Sequence, residues 1–217
     1  FGLLTIGATV YLMKKLPDFM IRFCLWMLTH TIYKIRIVGQ EHVPFRGPAL
    51  LVCNHMSFVD ALLVGSCVQR FIRFMMYKPY YEHKTFTWLF RLMKVIPYSN
   101  SDQKEMPESI SRAREALRQG HVVCVFTEGT GTISRIGDLL SFEIDFGKIV
   151  EGLHVPIIPV HLDGLWGSVF SFTGGKFFRK LPEKFPYPVT VSFGQPLPSF
   201  ATTQEIRQAV MELGSNA

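Results

Sequence analysis

From Tyr33 onward, short apolar runs alternate with longer stretches in which apolar residues recur every three or four positions. KIRIV, PALLVC, FIRFMMY, VIPY, HVVCVF, VPIIPVHL and VTVSF read as strands, with PALLVC buried, HVVCVF clearly delimited and VPIIPVHL central. Between them, helical spacing predicts helices from about Ser57 to Cys67 and over YYEHKTFTWLFRLM, PESISRAREALRQ and FEIDFGKIVEG. Pro107 and Gly120 bracket the third of these, as a residue near the first turn and one just past the end should. Thr202 and Glu205 form a capping-box pattern ahead of a final helix over TTQEIRQAVMEL. Strands alternating with helices predict an α/β domain, and without an internal repeat or long linker it runs as one unit from 33 to 217.

Residues 1–32 follow a different pattern. FGLLTIGATVYLM is apolar up to Lys14 and Lys15, but 13 residues fall short of the about 20 that cross a bilayer. The chain begins at Phe1, without methionine and inside an apolar run, as a piece cut from a longer polypeptide would. FMIRFCLWMLTHTIY then places Phe19, Phe23, Trp26, Met27 and His30 at helical spacings around Arg22. Two readings are open for it, a packing helix on its own domain and a helix lying on a membrane. Its aromatic content and neighbouring lysines favour an amphipathic, membrane-associating segment at the cytoplasmic face.

Composition narrows the partners. With 48% hydrophobic and 18% charged residues, 217 residues can bury a sizeable core, which excludes disorder. A net charge of +6 favours an anionic partner without choosing among metabolite, membrane, protein or nucleic acid. Cys24, Cys53, Cys67 and Cys124 contain no CxxC pair and sit mostly in apolar runs, which favours reduced core thiols over disulfides or a metal site. The aromatic and basic positions form no RNA-binding block, so no nucleic-acid partner is expected.

Candidate chemistry begins at VCNHMSFVD, residues 52–60, where a buried strand ends on Asn54 and His55 with Asp60 close behind. In open α/β sheets, ligands bind beyond the carboxyl ends of strands. An imidazole there can act as a base, and a carboxylate on its other ring nitrogen would fix the tautomer and stabilise the imidazolium. Such a pair activates a hydroxyl. Ser57 lacks the GxSxG elbow of a serine nucleophile, and Cys53 is expected on the opposite side of the strand, so the hydroxyl is assigned to a bound acceptor. A second constellation, FTEGTGTISR at 126–135, follows the strand HVVCVF: Glu128, Gly129 and Thr130 bring backbone amides and a hydroxyl close together, and Arg135 adds charge. It lacks the GxxxxGK[ST] of a P-loop.

At these residues the chain resembles the PlsC-like glycerolipid acyltransferases, the lysophosphatidic acid and lysophospholipid acyltransferase family. Asn54, His55, Ser57 and Asp60 match the family's NHxSxxD block; Phe126, Glu128, Gly129 and Thr130 match FPEGT with Thr127 in place of proline; VPIIPV at 155–160 matches a late proline-containing strand. The resemblance spans about residues 33–195 and implies a mostly parallel or mixed sheet flanked by helices. It further implies that His55 is the general base, that Asp60 orients it, and that Asn54, Ser57, Glu128, Gly129, Thr130 and Arg135 bind substrate. No cofactor or metal is implied; acyl carrier protein or coenzyme A brings the acyl thioester as a co-substrate.

Two departures bear on the acceptor. Many members carry arginine directly after EGT and another between the blocks, whereas this chain has Gly131 and KVIPYSNSD. Two close guanidiniums would suit a terminal phosphate monoester. Their absence makes a lysophospholipid such as 2-acylglycerophosphoethanolamine the expected acceptor, with 1-acylglycerol-3-phosphate, and a non-catalytic lipid-binding module, as alternatives. The pattern looks closer to acyltransferase domains of bifunctional 2-acylglycerophosphoethanolamine acyltransferase/acyl-carrier-protein synthetases, which are fused to a synthetase and sometimes to a transporter. KFFRKLPEKF, residues 176–185, reads either as a solvated charged face or as a seat for anionic lipid or an acidic carrier protein.

Overall fold

The structure, a computed structural model, describes residues 2–15, 17–55, 57, 59–99, 105–127, 146–165 and 185–215. Seven strands form one sheet: β1 Tyr33–Val38, β2 Ala49–Cys53, β3 Ile72–Tyr77, β4 Ile96–Tyr98, β5 Val122–Phe126, β6 Ile157–Asp163 and β7 Tyr187–Phe193. Their spatial order is β1-β7-β6-β2-β5-β3-β4. β6, β2, β5, β3 and β4 run parallel, while β7 pairs antiparallel with β6 and parallel with β1. The expected α/β fold with a mostly parallel, mixed sheet is therefore observed.

Residues of β2 alternate between two apolar layers. Leu51 and Cys53 pack with Leu63, Phe74, Cys124 and Val160 on one face. Leu50 and Val52 pack with Met75, Val123, Ala113 and Ile149 on the other. All five residues of β2 are buried, as a central strand covered on both faces requires. Helix α3 (Asp60–Cys67) contributes to the first layer, and α6 (Glu105–Arg118), α7 (Phe146–Val150) and α8 (Thr203–Ser215) contribute to the second.

Helix ends follow local chemistry. At α8 the Thr202 backbone N–H donates to Glu205 Oε2 (2.7 Å) and the Glu205 N–H to Thr202 Oγ1 (3.2 Å), the capping box read from the sequence. The Thr202 N–H, followed by the Thr202 hydroxyl donating to the same oxygen (2.8 Å), holds the exposed Glu205 carboxyl below its ordinary pKa. The aromatic stretch after β3 is two short helices, α4 (Lys78–Tyr81) and α5 (Thr87–Leu92), where the periodicity predicted one. The Glu82 N–H closes α4 on the Lys78 carbonyl (2.9 Å), and the Phe86 and Thr87 N–H groups start afresh on the His83 carbonyl (2.9 and 3.1 Å), with Thr87 Oγ1 also reaching the carbonyls of Tyr81 (3.2 Å) and His83 (2.9 Å).

At the amino end, α1 (Gly2–Lys15) precedes α2 (Pro17–Ile32), which packs on α3. The outward side of α2 leaves Phe19, Phe23, Trp26, Met27 and Leu28 exposed, so the segment has both a packing face and a bare apolar one. Among the described residues no helix is long and apolar enough to cross a membrane.

Candidate active site

Strand register brings two sequence blocks together. Cys53, the last residue of β2, lies beside Phe126, the last residue of β5, and the Thr127 N–H donates to the Cys53 carbonyl at 2.8 Å. Asn54 and His55 therefore leave the sheet next to the point where Thr127 leads into residues 128–145. Glu128, Gly129, Thr130 and Arg135 lie outside the described residues, as do 176–184 of the basic aromatic stretch.

Asn54 turns its backbone away from the sheet but leaves its side chain in the ladder. Its Nδ2 donates to the Leu162 carbonyl (2.9 Å) and its Oδ1 accepts from the Leu162 N–H (2.7 Å). The primary amide thus pairs with β6 as one more residue of β2 would. Asn54 is 5% exposed, and its engagement with the backbone is structural. Asn54→Ala would leave both Leu162 groups buried without these partners, and we expect a loss of about 2–4 kcal/mol, measurable by urea denaturation.

His55 and Asp60 meet. Nδ1 of His55 lies 2.8 Å from Asp60 Oδ2, which also accepts the Ser57 N–H at 2.8 Å. A carboxylate only accepts, so Nδ1 carries the proton and the lone pair of the neutral ring is on Nε2. Asp60 is fully buried, and the His55 side chain retains 18% exposure. The imidazole is thus reachable and the carboxylate is shielded from water.

The sequence predicted a helix from about Ser57, but α3 starts at Asp60. Residues 57–60 instead close a turn, in which the Asp60 N–H donates to the Ser57 carbonyl (3.2 Å) and the Val59 N–H to Ser57 Oγ (3.4 Å). Ser57 is fully buried and serves this turn, which swings Asp60 back toward His55. Asp60 also occupies the first turn of α3, where the helix dipole favours a negative charge. The same side chain thus both faces His55 and sits in the first turn of α3.

One neighbour was given no role in the sequence. The Phe126 ring lies against the His55 imidazole, centroids 4.8 Å apart, and is itself stacked on Phe74 at 6.1 Å. His55 is therefore held on one side by a carboxylate and on another by an aromatic face suited to an imidazolium. The signal was present in part: Phe126 ends a strand that a parallel neighbour aligns with the strand before His55.

The cysteines near the site are poor nucleophiles. Cys53 is fully buried, with its Sγ–H directed at Asn54 Oδ1 (3.7 Å). Burial pushes the Cys67 thiol up to about 12, and burial followed by the Asp60 charge raises Cys124 as well.

A family model described as Acyltransferase matches residues 34–163. A Mycoplasma pneumoniae protein named a probable 1-acyl-sn-glycerol-3-phosphate acyltransferase is 33% identical over 150 residues, covering 64% of this chain and 52% of that protein. The 1-acyl-sn-glycerol-3-phosphate acyltransferase of Bacillus subtilis is 25% identical over 185 residues, covering 82% and 87%. The chain spans about half the length of the Mycoplasma pneumoniae and Mycoplasma genitalium relatives it matches, 52% and 55%. In fold, it is similar to the crystal structure of the 1-acyl-sn-glycerophosphate acyltransferase PlsC from Thermotoga maritima, with a TM-score of 0.67 at 20% identity over 98% of this chain and 87% of that one.

Proposed function

Because this chain belongs to the acyltransferase family, we propose that it transfers a fatty acyl chain from a thioester to the free hydroxyl of 1-acylglycerol-3-phosphate at a membrane surface. The observation that carries this reading is the His55–Asp60 pair, with Nδ1 anchored at 2.8 Å and part of the ring open at the carboxyl end of the sheet. Nε2 takes the hydroxyl proton as the acceptor oxygen attacks the thioester carbonyl. The tetrahedral intermediate expels the thiolate of coenzyme A or acyl carrier protein, and the imidazolium returns the proton to that sulfur. Asp60 keeps the ring in the tautomer that accepts at Nε2 and stabilises the charge it gains. A lipid-binding module has no need of a base and its orienter.

The choice of acceptor reverses the ranking drawn from the sequence. The missing arginines favoured an ethanolamine lysophospholipid, whereas the names of the relatives support the monoester phosphate that ranked second. The ethanolamine lysolipid stays as a second reading, because Gly131 stands where a phosphate-binding arginine is expected. A panel of lysolipids, each with coenzyme A and carrier-protein donors, separates the two. The highest kcat/KM is expected with 1-acylglycerol-3-phosphate; a preference for 2-acylglycerophosphoethanolamine would restore the first ranking. The bare apolar side of α2 supports residence on the membrane, where both lipid substrate and product reside.

A further inference from the structure

Residues 78–93 stand out because neither α4 nor α5 buries a single side chain, although Tyr80, Phe86, Trp88 and Leu92 are all large and apolar. Trp88 is 64% exposed and Phe86 49%. Around them Lys84, Arg91 and Lys94 are exposed, against one exposed acid, Glu82. We propose that α4–α5 is a second membrane-contacting face, separate from the amino-terminal helices, which inserts these aromatic side chains among the head groups of an anionic bilayer.

Three observations select a bilayer. Aromatic rings interleaved with basic side chains suit the interface, where the rings reach the acyl boundary and the cations pair with lipid phosphate. A stable protein–protein interface uses about 20–30 residues a side, more than this segment supplies, whereas a bilayer needs only a few anchors. The segment is also tied to the start of α2. Lys94, just past α5, pairs with Asp18 at the start of α2 (3.1 Å), and its ammonium lies 5.3 Å from the centre of the Phe71 ring. Lys94 holds this position with φ of 52°, a left-handed backbone that a lysine rarely adopts.

The placement has a consequence for catalysis. α4 begins at Lys78, directly after β3, and β3 lies beside β5, the strand that carries Phe126 to His55. A bilayer that takes up Tyr80 on α4 would lie against the carboxyl end of β3, so a lysolipid need not leave it completely to reach His55. The inference rests on the proposed function for its lipid acceptor, but the contact itself is tested without turnover.

The full chain carrying Trp26→Phe and Trp166→Phe keeps Trp88 as its one tryptophan. Mixed with vesicles of phosphatidylethanolamine and phosphatidylglycerol, its emission should shift to the blue and be quenched by lipids brominated near the head group. Unquenched Trp88 on vesicle-bound protein would overturn the proposal, as would failure of the protein to bind vesicles. Phe86→Ala with Trp88→Ala should weaken vesicle partitioning about 10–100-fold. Its transfer to a short-chain, monomeric acceptor should stay unchanged. Equal partitioning of variant and wild type, with a rate loss confined to the carrier-protein donor, would instead assign the face to an acidic protein and overturn the proposal. Lack of transfer by the wild type to the monomeric acceptor would count against the proposed function alone, because quenching of Trp88 is read independently.

Discussion

Replacing His55 by alanine is expected to lower acyl transfer by about 10³–10⁴-fold, the scale of a lost general base at the reacting hydroxyl. The loss should fall on kcat, because the imidazole gains its proton only as the acceptor attacks and contributes little to ground-state binding. The variant also removes the His55 donor to Asp60 Oδ2, an oxygen that the Ser57 N–H also reaches at 2.8 Å. That deficit at a buried carboxylate costs about 1–3 kcal/mol. Circular dichroism and a denaturation curve, taken alongside the kinetics, separate a folded protein without its base from an unfolded one. A folded variant with wild-type turnover would remove His55 from the reaction.

Asp60→Asn is expected to cost about 10²–10⁴-fold in kcat with acceptor KM little changed. Asparagine keeps the size of the side chain, and its oxygen in the place of Oδ2 can still accept from both the Ser57 N–H and His55 Nδ1–H. The ring then keeps its place and its tautomer, but the negative charge that stabilises the imidazolium is gone. Asp60→Glu is expected to do worse on stability, since the site is fully buried and an added methylene forces the turn at residues 57–60 to open. Normal kcat in Asp60→Asn would show that the charge of Asp60 is immaterial to transfer.

Much of this arrangement was legible from local pattern. The continuous apolar run PALLVC marked a buried strand, and Asn54-His55 at its end marked the edge of the sheet where chemistry gathers. The meeting of the two blocks was an expectation that the Cys53–Phe126 register meets for the residues up to Thr127. Three features depended on information no local pattern holds. The break between α4 and α5 shows in the backbone hydrogen bonds that restart at the His83 carbonyl, not in the apolar spacing. The role of Asn54 depends on β6, a strand 108 residues away in the chain, having backbone groups to spare where β2 ends. The placement of Phe126 against His55 requires knowing which strands are neighbours, and apolar periodicity shows which residues are buried, not against what. The ranking of acceptors rested on two sequence positions, whereas a cation can reach a phosphate from any element that lines the site.

The central claim, that His55 and Asp60 act as one unit, is tested most directly by a double-mutant cycle on kcat with 1-acylglycerol-3-phosphate as acceptor. His55→Ala, Asp60→Asn and the double variant are measured under single-turnover conditions. If the carboxylate works only through the ring, the double variant is no slower than His55→Ala alone. Losses that multiply in the double variant would mean that each residue acts on the reaction separately, and would contradict the account.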